Sequence, residues 1–344
     1  SSDLEQLAST HRFHSQTDSE IIAHLLETYL KDGSSLKDVL IKLVGTLHGA
    51  YALAAIMTDY PDMIIAARKS VPLCIGQAEG EMFLASDLLA FSGKTNKVLF
   101  MPEGSFAFIR KDHVELFDAH GNALPAEFKT TAMPELADMK RGFEHYMLKE
   151  IYDQKKVIQD TVHSYRALEE TLWQQMGISA QAVKDLKRIT LVGCGTSWHA
   201  ASVAQYFFET IAGIKTEVGL ASEMRYQQYF PEEHALAFGI SQSGETADTL
   251  EALRFLIGHK VPTVSLVNVA TSTMVRETDG YIPLYAGTEV SVASTKAFTA
   301  QVGALYWLAH KMALERGLVD ERALRTAEAD LLVVSEILES AIES

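Results

Sequence analysis

The sequence is poor in cysteine and has no long apolar run. Cys74 and Cys194 are its only two cysteines, and neither has a CxxC partner, which excludes a disulfide framework and a cysteine-rich zinc site. This favours a reducing, cytoplasmic location. No run approaches the roughly 20 apolar residues that span a bilayer, and the polar N-terminal segment lacks the features of a signal peptide. We therefore expect a soluble, unexported protein with no membrane partner.

Positive charge is also scarce. Lys and Arg number 30 against 45 Asp and Glu, which gives a formal net charge of -15. Such a chain is repelled by a nucleic-acid backbone, which carries one charge per about 1.7 Å, so we expect no nucleic-acid partner. The 12 histidines form no HxH or HxxxH pair, so the sequence predicts no metal site.

The length and composition fit two globular domains. The 344 residues exceed one domain of about 150 residues, and the 47% hydrophobic content suffices for buried cores. Helical spacing of apolar residues predicts two helices in the first part, and strand-like runs follow them. These elements are helices at 21–29 and 36–47 and strands at 51–58, 63–67, 82–85 and 106–117. We predict an α+β domain over 1–118, with an antiparallel meander, and a linker containing Gly and Pro over 119–142.

The second part of the sequence has a different pattern of predicted strands and helices. After a helical stretch at 143–176, short apolar strands without alternation are separated by polar loops, three of which lead into helices. These strands lie at 189–192, 236–240, 263–267 and 281–284. Such strands, alternating with helices, are typical of a parallel sheet covered on both faces. The sequence predicts a doubly wound α/β domain over 143–344.

Three loops rich in hydroxyl side chains follow these strands, at 193–197, 241–246 and 290–295. In a doubly wound sheet, loops at the carboxyl ends of the strands meet in a crevice that binds ligands. Glycines and helix starts there suit an anion. The first two loops contain no Lys or Arg, so they predict a neutral phosphate cradle unlike a Walker loop. The alternatives to ligand binding are purely structural: the first loop forms a tight turn, and a hydroxyl of the second loop caps a helix.

Two residues near these loops, Lys296 and Cys194, each allow two interpretations. Lys296 is either a structural ion-pair lysine or a pocket cation. Cys194 stands at a helix start, which could lower the pKa of its thiol, yet a small residue beside turn glycines usually packs. For the aromatic residues of the first helix we expect core or subunit packing; they are Trp198, Tyr206, Phe207 and Phe208.

The loop motifs together resemble a known family. GCGTS (193–197), SQSGET (241–246) and VASTKAFT (292–299), in this order and spacing, are similar to the first sugar-isomerase (SIS) domain of the glucosamine-6-phosphate synthase family. HYMLKEI (145–151) and ASEMRY (221–226) match further segments of that domain. Three earlier segments resemble the C-terminal half of the family's N-terminal-nucleophile glutaminase domain; they are QTDSEIIAHL (16–25), HGAYALA (48–54) and FLASD (83–87).

The resemblance implies an aminotransferase that moves nitrogen from glutamine to fructose-6-phosphate and yields glucosamine-6-phosphate, for amino-sugar synthesis toward UDP-N-acetylglucosamine. It implies no cofactor. The residues that would hold the phosphate are Thr196, Ser197, Ser241, Gln242, Ser243 and Thr246. Val292 and Ser294 match positions near the sugar, and Asp18 matches the carboxylate that holds the α-amino group of glutamine.

The chain departs from the family at both ends. The sequence begins at Ser1, past the family's catalytic N-terminal Cys, and ends at Ser344, before the second SIS domain with its Glu, His and Schiff-base Lys. We therefore expect a fragment or a naturally shortened relative of the family. We expect neither half-reaction to be complete, and no catalytic residue is assigned. Two other functions stay open: a non-catalytic sugar-phosphate sensor, and a stand-alone isomerase or deglycase, for which Glu245 and Glu289 are the local candidates for a general base.

Apolar stripes in the second domain predict self-association. One lies on the helix after the third loop and another runs over 331–342, and in the family such domains pair. We predict a homodimer through the parallel-sheet domain. The alternatives are that both stripes are buried within the domain or that they cover a further domain.

Overall fold

The computed structural model describes residues 11–15, 17, 19–31, 33–131, 140 and 142–344. The chain forms two compact units, residues 1–136 and 137–344. The division falls inside the segment predicted as a linker. Within that segment, residues 123–124 and 129–130 form short strands that pair with strands of the first unit.

The first unit combines helices with antiparallel strands. The described residues contain the helices α1 (Glu20–Lys31) and α2 (Leu36–Thr46). The strands are β1 (Tyr51–Met57), β2 (Tyr60–Lys69), β3 (Cys74–Ala78), β4 (Glu81–Ala85), β5 (Lys97–Phe100), β6 (Phe106–Ile109), β7 (Val114–Phe117), β8 (Ala123–Leu124) and β9 (Lys129–Thr130). A single 3-10 turn at Leu88–Phe91 precedes β5.

These strands form two sheets, which corrects the single meander predicted from the sequence. Their orders are β1-β2-β6-β7-β8 and β4-β3-β5-β9. Ala66 and Ile109 of one sheet pack with Ile75 and Leu99 of the other in one buried cluster. The helices pack on the opposite face of the first sheet, where α2 contributes Leu40. The apolar run at 106–117 is a hairpin, because Arg110 N–H donates to the His113 carbonyl at 2.9 Å and reverses the chain.

The second unit alternates strands and helices. Its described helices are α3 (Tyr146–Tyr152), α4 (Gln154–Leu168), α5 (Leu172–Gln175), α6 (Ala180–Asp185), α7 (Gly195–Thr210), α8 (Ala221–Met224), α9 (Ala247–Gly258), α10 (Thr273–Glu277), α11 (Lys296–Glu315) and α12 (Glu321–Glu343). Its strands are β10 (Arg188–Gly193), β11 (Lys215–Leu220), β12 (Ala235–Ser241), β13 (Thr263–Val267) and β14 (Gly280–Pro283).

The five strands of this unit form one parallel sheet with the order β11-β10-β12-β13-β14. The predicted doubly wound α/β class is confirmed. Phe238 and its same-face neighbours pack against α7 and α11, whereas Ala237 packs against α8 and α9 on the other face. The sequence pattern missed β11, because this edge strand has charged residues at Lys215 and Glu217 in place of a continuous apolar run.

The two apolar stripes at the end of the chain differ in burial. Helix α11 lies inside the unit, and its Trp307 is 1% exposed. Helix α12 docks through Glu328, which accepts hydrogen bonds from Trp307 Nε1 at 3.0 Å and Arg166 Nε at 2.9 Å. Its outer face leaves Val333, Val334 and Ile337 exposed. None of the described helices is long and apolar enough to cross a membrane.

Candidate functional site

The strand order of the second unit locates the candidate site. The chain reverses its direction of sheet growth between β10 and β12, which are neighbours in the sheet. In sheets of this order a ligand binds at this switch point, outside the carboxyl ends of the strands. The first two hydroxyl-rich loops, at 193–197 and 241–246, leave these two strands and lead directly into α7 and α9.

The first loop presents an open helix start. Gly195, with φ of +55°, begins α7, and within the described residues no side chain caps this helix at Cys194. Thr196 lies half-buried in the first turn. Ser197 is 8% exposed, and its Oγ accepts a hydrogen bond of 3.0 Å from Nε2 of Gln301 on α11. The Cys194 side chain therefore does not occupy this helix start, where backbone N–H groups can bind an anion.

The second loop holds its hydroxyls in a fixed order. Gly244 N–H donates to Ser241 Oγ at 3.0 Å, and Ser241 Oγ lies 2.9 Å from Thr246 Oγ1. Glu245 N–H donates to Ser243 Oγ at 3.2 Å. Because Glu245 N–H occupies an acceptor position of Ser243, the Ser243 hydroxyl proton remains available for donation. Ser241 and Thr246 share one hydrogen bond, which leaves one hydroxyl proton of this pair for a ligand. Thr246, the N-cap residue of α9, makes no side-chain capping bond among the described residues.

This arrangement suits an anion. The hydroxyls that receive N–H groups can donate their protons outward, and the starts of α7 and α9 add partial positive charge. An anion held in this way needs no Lys or Arg, which agrees with the composition of both loops. Phosphate matches this chemistry, because its oxygens accept several hydrogen bonds.

A fourth loop, after β13, organises the site, and sequence reasoning missed it. Asn268 N–H donates to the Gln242 carbonyl at 3.0 Å, and Asn268 Nδ2 donates to the Gly287 carbonyl at 2.6 Å. A Cβ at Gly244, whose φ is +66°, would lie 2.2 Å from Ser272 Oγ. The sequence signal that could have identified this loop is its position after a third parallel strand. Asn268 is uncharged and belongs to none of the recognised motifs.

The third loop is held by carboxylates instead. Both oxygens of Glu289 are engaged: Oε1 accepts from the N–H groups of Thr295 at 2.9 Å and Ala297 at 3.2 Å, and Oε2 accepts from Ser294 Oγ at 3.0 Å. Buried Glu150 accepts from Val290 N–H at 2.6 Å through Oε1. Glu289 therefore occupies the start of α11 as a capping group.

Lys296 is an ion-pair lysine. Its side chain is 3% exposed, and its Nζ lies 3.1 Å from Asp153 Oδ2. Lys149 bonds the same oxygen. Burial raises the pKa of Asp153, but the hydrogen bonds from the two lysines lower that pKa more, so the net shift is downward. Of the two interpretations that the sequence left open, the structure shows the ion pair.

The remaining sequence candidates have the following positions. Val292 is fully exposed on the third loop. Burial raises the pKa of the Cys194 thiol, so the structure gives no activated thiolate. Asp18 lies outside the described residues.

One group of described side chains has the composition of a metal site, although the sequence predicted none. Ligand atoms of His11, His24 and Glu27 lie within 4.8 Å of one another in the first unit. Glu27 also pairs with Lys31 at 2.7 Å, and His24 Nε2 lies 3.5 Å from Glu20 Oε1.

Comparison with known proteins agrees with the geometry. The SIS domain family matches residues 183–311, which include β10 to β14 and the loops between them. The second unit carries an SIS domain. A solved structure, the C-terminal domain of glucosamine-fructose-6-phosphate aminotransferase from Francisella tularensis, is 35% identical with a TM-score of 0.51 and covers 57% of this chain and 55% of that one.

Curated relatives extend the similarity beyond the SIS domain. The isomerizing glutamine–fructose-6-phosphate aminotransferase of Clostridium tetani is 35% identical over 335 residues, which is 97% of this chain and 55% of the relative. That of Pseudomonas aeruginosa is 42% identical over 323 residues, 93% of this chain and 52% of the relative. The resemblance to the glucosamine-6-phosphate synthase family is confirmed. The chain spans about half the length of the curated relatives that it matches.

Proposed function

We propose that the second unit binds a hexose phosphate, fructose-6-phosphate or glucosamine-6-phosphate, as the sugar-phosphate part of a glutamine–fructose-6-phosphate aminotransferase. The observation that carries this proposal is the ordered set of hydroxyls at the carboxyl edge of β10 and β12. Ser197, Ser241 and Ser243 each receive an N–H group. Ser197 and Ser243 can therefore each donate a proton to a phosphate oxygen between the starts of α7 and α9, and the hydrogen-bonded pair Ser241 and Thr246 can donate one more.

The third loop fits the sugar better than the phosphate. Ser294 donates its hydroxyl proton to Glu289, so this oxygen offers only lone pairs to a ligand. Lone pairs accept from a sugar hydroxyl and repel a phosphate oxygen. We therefore assign Ser294 and the neighbouring backbone at Val292 to the sugar, and the two earlier loops, with Thr196, Gln242 and Thr246, to the phosphate.

The carboxylates of the site favour a binding role over a stand-alone isomerase or deglycase. Such an enzyme needs a general base within reach of the sugar, for which the sequence offered Glu245 and Glu289. Both oxygens of Glu289 already accept hydrogen bonds, and Glu245 Oε1 accepts from Thr273 N–H at 2.7 Å. A sugar-phosphate sensor with the same pocket remains the second candidate, because binding alone needs no base.

The remaining assignments follow the relatives and stay proposals. We assign residues 1–118 to part of a glutaminase domain, with Asp18 at the glutamine, 119–142 to a linker and 143–344 to the SIS domain. Amidotransferase activity, a place in amino-sugar synthesis and a cytoplasmic location belong to the same proposal. It includes a homodimer through the second unit, for which exposed Val333, Val334 and Ile337 of α12 offer an apolar surface. Sedimentation as a single species near 37.9 kDa would contradict the dimer.

Calorimetry with fructose-6-phosphate tests the binding proposal. Ser243→Ala removes one hydrogen bond to a charged group, which costs about 1.5 to 3 kcal/mol, or roughly a 10- to 100-fold loss of affinity. Ser202→Ala is the control, because Ser202 lies on α7 and its Oγ donates to the Trp198 carbonyl at 2.9 Å. Wild-type affinity in Ser243→Ala would reject this loop as the phosphate site.

A further inference from the structure

A glutamine that no motif marks as a ligand lies behind the first loop. Gln301 stands on α11, two turns after the third loop, and is 1% exposed. Its Nε2 donates to Ser197 Oγ across 3.0 Å. Gln301 therefore does not reach the crevice itself, but it contacts a side chain that does.

The other end of the same amide points to a role beyond packing. Gln301 Oε1 is buried and has no hydrogen-bond partner among the described residues. A buried acceptor without a partner is destabilising, and such groups are uncommon in folded proteins. An apolar side chain of the same length would fill the space between α11 and α7 without that cost. The amide is explained by what its N–H does for Ser197.

We propose that Gln301 is a positioning residue, which turns the Ser197 hydroxyl so that its proton points to the phosphate. This inference rests on the proposed sugar-phosphate function. A helical serine can otherwise donate its proton back to a carbonyl one turn earlier, and it then presents lone pairs to the anion. With an N–H on the acceptor side of Ser197 Oγ, outward donation is favoured. The backbone N–H group of Glu245 does the same for Ser243.

The first experiment separates positioning from packing. Gln301→Met keeps the length of the side chain and removes both the N–H and the unpartnered carbonyl. We expect about a tenfold loss of affinity for fructose-6-phosphate and for inorganic phosphate, with a midpoint of chemical unfolding equal to or above that of the wild type. Gln205→Met is the matched control. Gln205 lies on α7, and its Nε2 donates to the Thr216 carbonyl at 2.9 Å, away from the first loop. We expect the Gln205→Met variant to bind with wild-type affinity.

A double-variant cycle supplies a readout that a packing role would not move. If Gln301 acts through Ser197, then Gln301→Met causes no further loss of affinity once Ser197→Ala is present. Equal losses in the presence and absence of Ser197 would overturn the inference, and so would wild-type affinity in Gln301→Met. Loss of affinity together with a lower unfolding midpoint would also overturn it, because packing would then explain the result.

The outcomes also separate this inference from the proposed function. If the wild-type chain binds neither probe, the proposed function fails and the inference fails with it. If the wild type binds and Ser243→Ala does not, while Gln301→Met binds like the wild type, only the role of Gln301 is rejected.

Discussion

The starts of α9 and α11 are alike in their Ser and Thr content and differ in which groups accept hydrogen bonds from their N–H groups. Both follow a strand and a loop rich in Ser and Thr, and both open a long helix of the second unit. At α9 the loop hydroxyls receive N–H groups, and no side chain caps the helix at Thr246 among the described residues. At α11 the carboxylate of Glu289 accepts from Thr295, Ala297 and Ser294.

This difference teaches that hydroxyl content alone does not define an anion site. A helix start binds an anion only if no carboxylate of the protein already occupies it. The start of α11 is closed to phosphate by Glu289, whereas the starts of α7 and α9 are not capped by the side chains of Cys194 and Thr246. In the proposed function, the same loop composition serves the phosphate and the sugar of one ligand.

The largest effect is expected from Gly244→Ala. At this φ of +66° an alanine is strained, and its Cβ would lie 2.2 Å from Oγ of buried Ser272. We expect a loss of about 2 to 4 kcal/mol in the free energy of unfolding, the sum of left-handed strain and overpacking, together with loss of fructose-6-phosphate binding. Denaturant titration and calorimetry measure the two effects.

Gly287→Ala is the control, because Gly287 has a φ of +63° and the one described atom within 4 Å of its Cβ would be Lys296 Nζ, at 3.8 Å. It should lose the strain term alone, about 1 to 2 kcal/mol. Equal losses in the two variants would show that the contact with Ser272 does not constrain the second loop.

The second-largest effect distinguishes the phosphate end of the ligand from its sugar end. With inorganic phosphate as the probe, Ser243→Ala should lose roughly 10- to 100-fold in affinity, and Ser294→Ala should bind like the wild type. With fructose-6-phosphate, Ser294→Ala should lose about 2- to 10-fold, the value of one neutral hydrogen bond. Competition calorimetry measures both probes. A loss of inorganic phosphate binding in Ser294→Ala would place the anion at the third loop instead.

A smaller effect is expected from Glu289→Gln. The amide keeps one acceptor but loses the charge that stabilises the start of α11, which should cost about 1 kcal/mol of unfolding free energy. Phosphate affinity should not fall, because the carboxylate lies at α11 and not at α9. Glu144→Gln, an exposed position, is the control for charge alone. A drop in phosphate affinity as large as that of Ser243→Ala would contradict the contrast between the helix starts.

The smallest effect is a pH dependence through Asp153. Hydrogen bonds from Lys149 and Lys296 outweigh burial, so the folded-state pKa of Asp153 lies below its ordinary value. This carboxylate therefore contributes stability that is present above its unfolded pKa of about 3.9 and is lost as the pH falls through the lowered folded pKa. We expect Asp153→Asn to be less stable than the wild type near neutral pH, and this difference should shrink below about pH 4. Unfolding midpoints from pH 7 to pH 3 that stay parallel would refute the role of this ion pair.

The sequence by itself determined the parallel α/β class of the second unit, the positions of its three hydroxyl-rich loops and the family resemblance. These features are local, because strand periodicity, loop composition and motifs each lie within a few consecutive residues. It located four of the five parallel strands, and it missed β11 because an edge strand with Lys215 and Glu217 lacks a buried apolar run.

Only the tertiary structure decided which loop groups remain available to a ligand. Glu289 engages Ser294 five residues away, whereas Gln301 reaches Ser197 across 104 positions of sequence and Asn268 joins the second loop to Gly287. It also divided the strands of the first unit between two sheets. Hydrogen bonds and sheet pairing between distant residues depend on how the elements pack, and no local pattern encodes which donor meets which acceptor.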